Sequence, residues 1–231
     1  MAAAGMMTAA LADTTIAYIT NGNTNEGWTL INGGAKKAGQ KPGVKFIELA
    51  AEKGELSKQL AIVEDMITRK VNAIAIAPVD SKGIAPAINK ALAAGIKVVA
   101  VDTGITGAAI TSYVATDNIK AAMVQGNWAA EQVKDGDTVI YITGDLGQST
   151  GQERKKGFLD GLNAKRKNVK VVEVPTTWDQ TMAQNGVETA LRANPAAKVI
   201  ACAWDGGALG AKAALMAAGK KAGDVKIAGF D

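Results

Sequence analysis

The chain has 231 residues, 48% of them apolar and 21% charged, with a formal net charge of +4; that is enough for one large core or two smaller ones and excludes a disordered chain. Histidine is absent and cysteine occurs once, at Cys202, which removes histidine-dependent nucleophile triads and every zinc site built from Cys and His. The lysines and arginines form scattered pairs rather than a basic stripe interleaved with aromatics, so nucleic acid is not an expected partner.

Residues 1–12 of the opening MAAAGMMTAALAD have two readings. They form the back half of a signal peptide, with Ala10-Leu11-Ala12 meeting the small-x-small rule before Asp13, or they are a frayed alanine-rich terminus. No basic region precedes the stretch and no cysteine stands at the junction to accept lipid.

From Asp13 onward short β-rich runs alternate with longer helical ones, the pattern of a parallel sheet covered by helices. Strands are expected at 15–20, 44–50, 73–78, 97–102 and 112–116. Leu56, Leu60, Val63 and Ile67, three and four apart, mark a buried helical stripe before the third strand. The first strand runs into the polar loop Asn21 to Gly27 and then Trp28. Asparagine donates and accepts as a sugar hydroxyl does, and an indole can lie on the apolar face of a pyranose. Taken alone, though, the asparagines are better explained by turns and N-capping, and Trp28 by packing under the helix. The run AINKALAAGIKVVAVD closes on Asp102. Parallel sheets bind ligands beyond the carboxyl ends of their strands, so a carboxylate there faces a crevice.

Near Asp117 the series restarts, which divides the chain into lobes at 13–116 and 117–231, with a short direct crossing near 115–117 as a hinge. A helix to about 134 leads to the strand TVIYITG, the loop Asp145 to Gly151 and a helix from Ser149 to about 164. That loop resembles a phosphate cradle, but the end of a P-loop is missing and no GxGxxG occurs. Arg154, one turn into the helix, is either a fork-shaped donor to ligand hydroxyls or a solvated or Glu-paired arginine. Lys165-Arg166-Lys167 reads as a solvated turn. The strands VKVVEVPTT and KVIACAW follow, with Trp178 and Trp204 beyond their ends and a buried, inert Cys202 inside the second. Trp128 falls inside a helix and is read as structural. ALMAAGKKAGDVKIAGFD repeats the helix–glycine–strand–aspartate pattern and closes on Asp231.

Together these residues resemble the ribose-type sugar-binding family of periplasmic substrate-binding proteins that feed ABC transporters. The resemblance runs from about Thr15 to Asp231 and is carried, in order, by IAYITNGNTNEGWTLINGGAKKA, DMITRKVNAIAIAPVD, AGIKVVAVD, YVATDN, GQERKKGFLDGL, ALMAAGK and VKIAGFD. It implies an α/β fold of two Rossmann-like parallel-sheet lobes, the type I periplasmic binding fold. It implies that Asn25 and Trp28 supply a polar contact and a stacking aromatic from the first lobe, and that Asp102 accepts from ring hydroxyls. It implies that Arg154, Trp178 and Asp231 are the second lobe's donor, closing aromatic and acceptor, and that Asp117 and Asn118 are a hinge-adjacent pair rather than ligand contacts. The family often has arginine at Thr103, asparagine at Trp204 and an aromatic at Gly27. Those exchanges of polar contacts for apolar area predict a ligand other than ribose, with Thr103 and Trp204 among the contacts.

The implied protein is a soluble periplasmic monomer that captures a monosaccharide or polyol, without cofactor, metal or catalytic residue, and delivers it to an ABC permease in the inner membrane. A sugar-responsive regulator of the lactose-repressor type, or a chemotaxis-linked receptor, would share the fold. A regulator needs an N-terminal helix-turn-helix, and the residues before the first strand carry no basic side chain. In the family the backbone crosses between lobes three times, and this chain stops before the second crossing. The expectation is therefore a C-terminally incomplete gene fragment lacking about 60 to 80 residues of βαβ character, with a bare strand edge and uncovered helix faces that leave it unstable alone.

Overall fold

A computed structural model describes residues 14–22 and 26–231, and their strands fall into two separate parallel sheets. The first contains β1 (Thr14–Thr20), β2 (Val44–Ala50), β3 (Ala73–Ile76), β4 (Lys97–Val101) and β5 (Ser112–Val114), in the order β2-β1-β3-β4-β5. The second contains β6 (Thr138–Ile142), β7 (Lys170–Val174), β8 (Val199–Cys202) and β9 (Lys226–Ala228), in the order β7-β6-β8-β9. Both sheets place the second strand on one side of the first and the third on the other, so each has a switch point, where open α/β sheets form their binding crevice. The crossover helices are α1 (Glu26–Gly39), α2 (Leu56–Thr68) and α3 (Ala85–Ala93) in the first lobe. Those of the second are α4 (Asn118–Gln132), α5 (Ser149–Lys165), α6 (Gln180–Ala193) and α7 (Asp205–Ala217).

Parallel strands covered on both faces should be apolar throughout rather than alternating, and β6 and β8 are: Val139 to Ile142 and Val199 to Cys202 are all buried. Several strands are shorter than expected, for local reasons. β4 ends at Val101 because Asp102 turns into the left-handed region at φ 61°. β7 ends before Pro175, which has no N–H to donate. β9 ends at Ala228, where the Ala228 and Gly229 carbonyls accept from Gln125 Nε2 at 3.3 and 2.7 Å.

A glutamine closes the strand ends of each lobe. Gln59 on α2, fully buried, donates to the carbonyls of Thr20 and Ala77 and accepts from the Val79 N–H, tying β1 to the segment after β3. Gln125 on α4 likewise ties β8, through the Cys202 carbonyl, to β9. On α2 the stripe is broader than the apolar spacing alone implied: Gln59, Val63 and Met66 are its buried face, and Leu56, Leu60 and Ile67 flank it. Arg166 is not merely solvated, since its Nε donates to the carbonyls of Ala130 and Val133 at the end of α4. Such carbonyls have no partner within the helix.

Helices α4 and α5 approach to backbone contact through glycines. A Cβ on Gly157 would sit 2.3 Å from the Ile119 carbonyl oxygen, and one on Gly126 would sit 2.1 Å from that of Phe158. No other residue type fits there. This contact sets the first turn of α4, with Asn118, against the stretch of α5 that carries Arg154.

Candidate functional site

The loops beyond the carboxyl ends of both sheets face each other across a seam. There the Ser81 N–H donates to the Gly147 carbonyl at 3.1 Å, the Ser149 N–H to Ser81 Oγ at 2.9 Å, and the Gly104 N–H to Ser149 Oγ at 2.8 Å. Beside this seam lies a cavity that admits water centres over about 70 Å³. A single water needs roughly 10–15 Å³ by that measure, so the space suits one small solute.

Its polar wall is charged. Asp102, following β4, accepts from Thr103 Oγ1 at 2.9 Å through Oδ2, while its main-chain carbonyl accepts from the Tyr113 hydroxyl at 2.9 Å. Burial pushes the Asp102 carboxyl above its ordinary range, against the pull of Thr103 and Arg154. Opposite stands Arg154, buried on α5. Its Nε donates to Asn118 Oδ1 at 3.0 Å, and Nη1 donates to the Ala203 carbonyl at 2.7 Å and to Asp231 Oδ1 at 3.1 Å. Among the described residues no acceptor is bonded to Nη2, which leaves one edge of the fork for a ligand. Burial also raises the Asp231 carboxyl, with Arg154 opposing the shift. The guanidinium carbon lies 4.1 Å from the Phe230 ring centroid and 5.6 Å from that of Trp178, a cation–π setting that holds the fork flat.

The apolar wall is indole. Trp28, in the first turn of α1, lines the first lobe's side, and Trp178 and Trp204 line the second's, edge to face with centroids 5.5 Å apart. Trp178 directly precedes Asp179, which caps α6 by accepting from the Met182 N–H at 2.7 Å, and it has a left-handed φ of 62°. Strain of that kind in a non-glycine residue costs about 1–3 kcal/mol and collects at binding sites. Asp102 shares it from the other lobe.

Of the residues singled out in the sequence, Trp28, Asp102, Arg154, Trp178, Trp204 and Asp231 surround this one cavity. Asn25 lies outside the described residues. Thr103 does not reach the cavity: it is fully buried beneath it, and its hydroxyl is occupied by Asp102 and by Thr150 Oγ1 at 3.2 Å across the seam. Asp117 caps α4, accepting from the Lys120 N–H. Asn118 lies buried beside Glu153 and Arg154 and aims the arginine. The sequence reading missed Gln148 and Thr150, which line the cavity. Both come from the stretch Asp145 to Gly151, Gln148 at the end of the loop and Thr150 in the first turn of α5; the glycines of that stretch pointed to phosphate rather than to its amide. Trp128 packs beside the second core and does not line the cavity.

Among the described residues no cluster of potential metal ligands occurs, and no helix is long and apolar enough to cross a membrane.

Residues 16–231 match the periplasmic binding protein domain family. The ribose import binding protein RbsB of Salmonella typhimurium is 32% identical over 222 residues, 96% of this chain and 74% of that protein. A solute-binding protein of Burkholderia graminis solved in complex with D-arabinose superposes with a TM-score of 0.88 at 30% identity, covering 95% of this chain and 76% of the other. A Caulobacter myo-inositol binding protein bound to myo-inositol superposes with a TM-score of 0.85 at 28% identity, covering 94% and 75%.

Proposed function

The chain belongs to the periplasmic binding protein domain family, and from that premise we propose that it is the sugar-capturing component of an ABC transporter, binding a monosaccharide or cyclic polyol between its lobes. One observation carries the reading: Asp102 and Asp231 come from opposite lobes, flank the Arg154 fork, and share a solute-sized cavity with three indoles. Carboxylates accept from hydroxyls, the guanidinium edge donates to ring or hydroxyl oxygens, and indoles cover the C–H faces of the ring. Hydrogen bonds to charged groups contribute about 1.5–3 kcal/mol each, so a few of them with stacking reach the roughly −8 kcal/mol of micromolar capture.

On this reading Trp28 and Trp178 take the two faces of the ring, and Trp204 replaces a polar contact with apolar area. Asn25 adds a first-lobe contact. Thr103 acts by holding Asp102 rather than by touching the ligand. The lobes, 13–116 and 117–231, close on the solute without altering it, and the exported protein delivers it as a monomer to an inner-membrane permease. Relatives that match are binding proteins of transporters, which supports a role without catalysis.

The test is to titrate the protein with D-ribose, D-arabinose, D-allose and myo-inositol while following tryptophan fluorescence and melting temperature, and to identify by mass spectrometry any small molecule released on denaturation. A response to at least one sugar or polyol is expected. Silence toward all of them, with a response to amino acids or nucleosides, would move the protein to another substrate class.

A further inference from the structure

Gln148 is 5% exposed and makes three hydrogen bonds that join the two lobes to one aromatic. Its Nε2 donates to the first-lobe carbonyls of Pro78 at 3.4 Å and Val79 at 3.2 Å. Its Oε1 accepts from Trp178 Nε1 at 2.7 Å. The amide has one possible orientation, because the indole N–H can only donate and the carbonyls can only accept. We propose that Gln148 is an interlobe latch: it reads closure at the Pro78–Val79 peptide and transmits it to Trp178, setting the indole against the solute only when the lobes are shut.

Two further features support this. The surface that the latch meets is rigid, since the N–H of Val79 is held at 2.8 Å by the buried Gln59, which also bonds the carbonyls of Thr20, ending β1, and Ala77, just after β3. The peptide is therefore gripped from both lobes, by Gln59 on its N–H and by Gln148 on its C=O. Trp178 and Gln148 are also the partition between the cavity and a second recess of about 380 Å³, bordered by Asn21, Val79 and Asp179. Swinging the indole away would merge the two spaces and remove one face of the site. A side chain that fixes this partition acts on both capture and size selection.

The proposal deepens the capture reading and rests on it, but its first test needs no ligand. Dyes on Lys41→Cys and Lys221→Cys, exposed positions on opposite lobes, report the interlobe distance, with the buried Cys202 unlabelled. The Trp178 indole N–H resonance, assigned by its loss in Trp178→Phe, reports the other end of the latch. Gln148→Met should lengthen the mean interlobe distance and shift the indole resonance. Gln148→Glu should also open the lobes, because an ionised carboxylate repels the two carbonyls, yet leave the indole bond in place.

A merely structural glutamine would not separate those two readouts. With whichever probe of D-ribose, D-arabinose and myo-inositol binds the parent, Gln148→Met should cost about ten-fold in affinity. It should cost less than about three-fold when Trp178→Phe is already present, the non-additivity expected of coupled neighbours. Unchanged distances and an unchanged resonance in both Gln148 variants would overturn the latch. An intact latch in a protein that binds none of the sugars would instead overturn the capture reading.

Discussion

The indole of Trp178 lies so close over the backbone of Gly144 that a β-carbon on Gly144 would sit 2.0 Å from Cη2. The glycine ending the β6 segment is thus the floor on which the second lobe's cleft aromatic rests. Gly144→Ala should displace the indole and weaken sugar affinity by about ten-fold, because a gap of about an ångström forfeits up to roughly half of the dispersion attraction of every atom pair across it. Parallel calorimetry and melting curves check this; a variant that binds like the parent would show that Trp178 does not contact the ligand.

Asp102→Ala and Arg154→Ala should each lower affinity by about ten-fold or more, since each leaves desolvated ligand groups unpaired. Their melting temperatures should diverge. Removing Arg154 also strips partners from Asn118, the Ala203 carbonyl and Asp231. Asp231 is about half exposed, so most of the loss comes from the two buried acceptors, about 1–3 kcal/mol each. Trp128→Phe is the control and should leave affinity nearly unchanged.

Affinity should fall as the medium is acidified toward the carboxylate range. Burial raises Asp102 and Asp231 above their ordinary 3.8, so just above that value the ligand-free folded chain holds more protons than the unfolded one. Its stability therefore declines as pH rises through this window. Solute hydroxyls donate to the ionised carboxylates, so the complex holds fewer protons and affinity rises over the same window. Titrations at stepped pH should show this slope, and Asp102→Asn should flatten it; a steeper slope in the variant would assign the titration elsewhere.

Gly157→Ala should destabilise the second lobe by about 1–3 kcal/mol, the usual cost of forcing extra volume into a packed contact, since its new methyl group meets the Ile119 carbonyl. Affinity should fall with it, because separating α4 from α5 draws Asn118 away from Arg154. Urea denaturation paired with sugar titration measures both. A loss of stability without loss of affinity would show that the arginine holds its place without Asn118.

The alternation of apolar strand runs with amphipathic helices, the repeat of the pattern after Asp117, and the aspartates closing two strands were all legible in the amino-acid sequence, because period and turn chemistry are local properties. So was the gathering of the strand-end tryptophans, since parallel strands deliver their carboxyl ends to one edge of a sheet. The bonds that cross between lobes were not legible. Thr103 and Gln148 are both polar residues in loops. Only the placement of one lobe on the other brings Thr103 to Thr150 beneath the cleft, and sends Gln148 across the seam to Val79 while it holds Trp178 of its own lobe. Sequence spacing determines which face of its own element a side chain occupies. Its partner 30 or 69 residues away is decided by the packing of helices and sheets, here by the glycine contacts of α4 and α5 and by the meeting of two switch points.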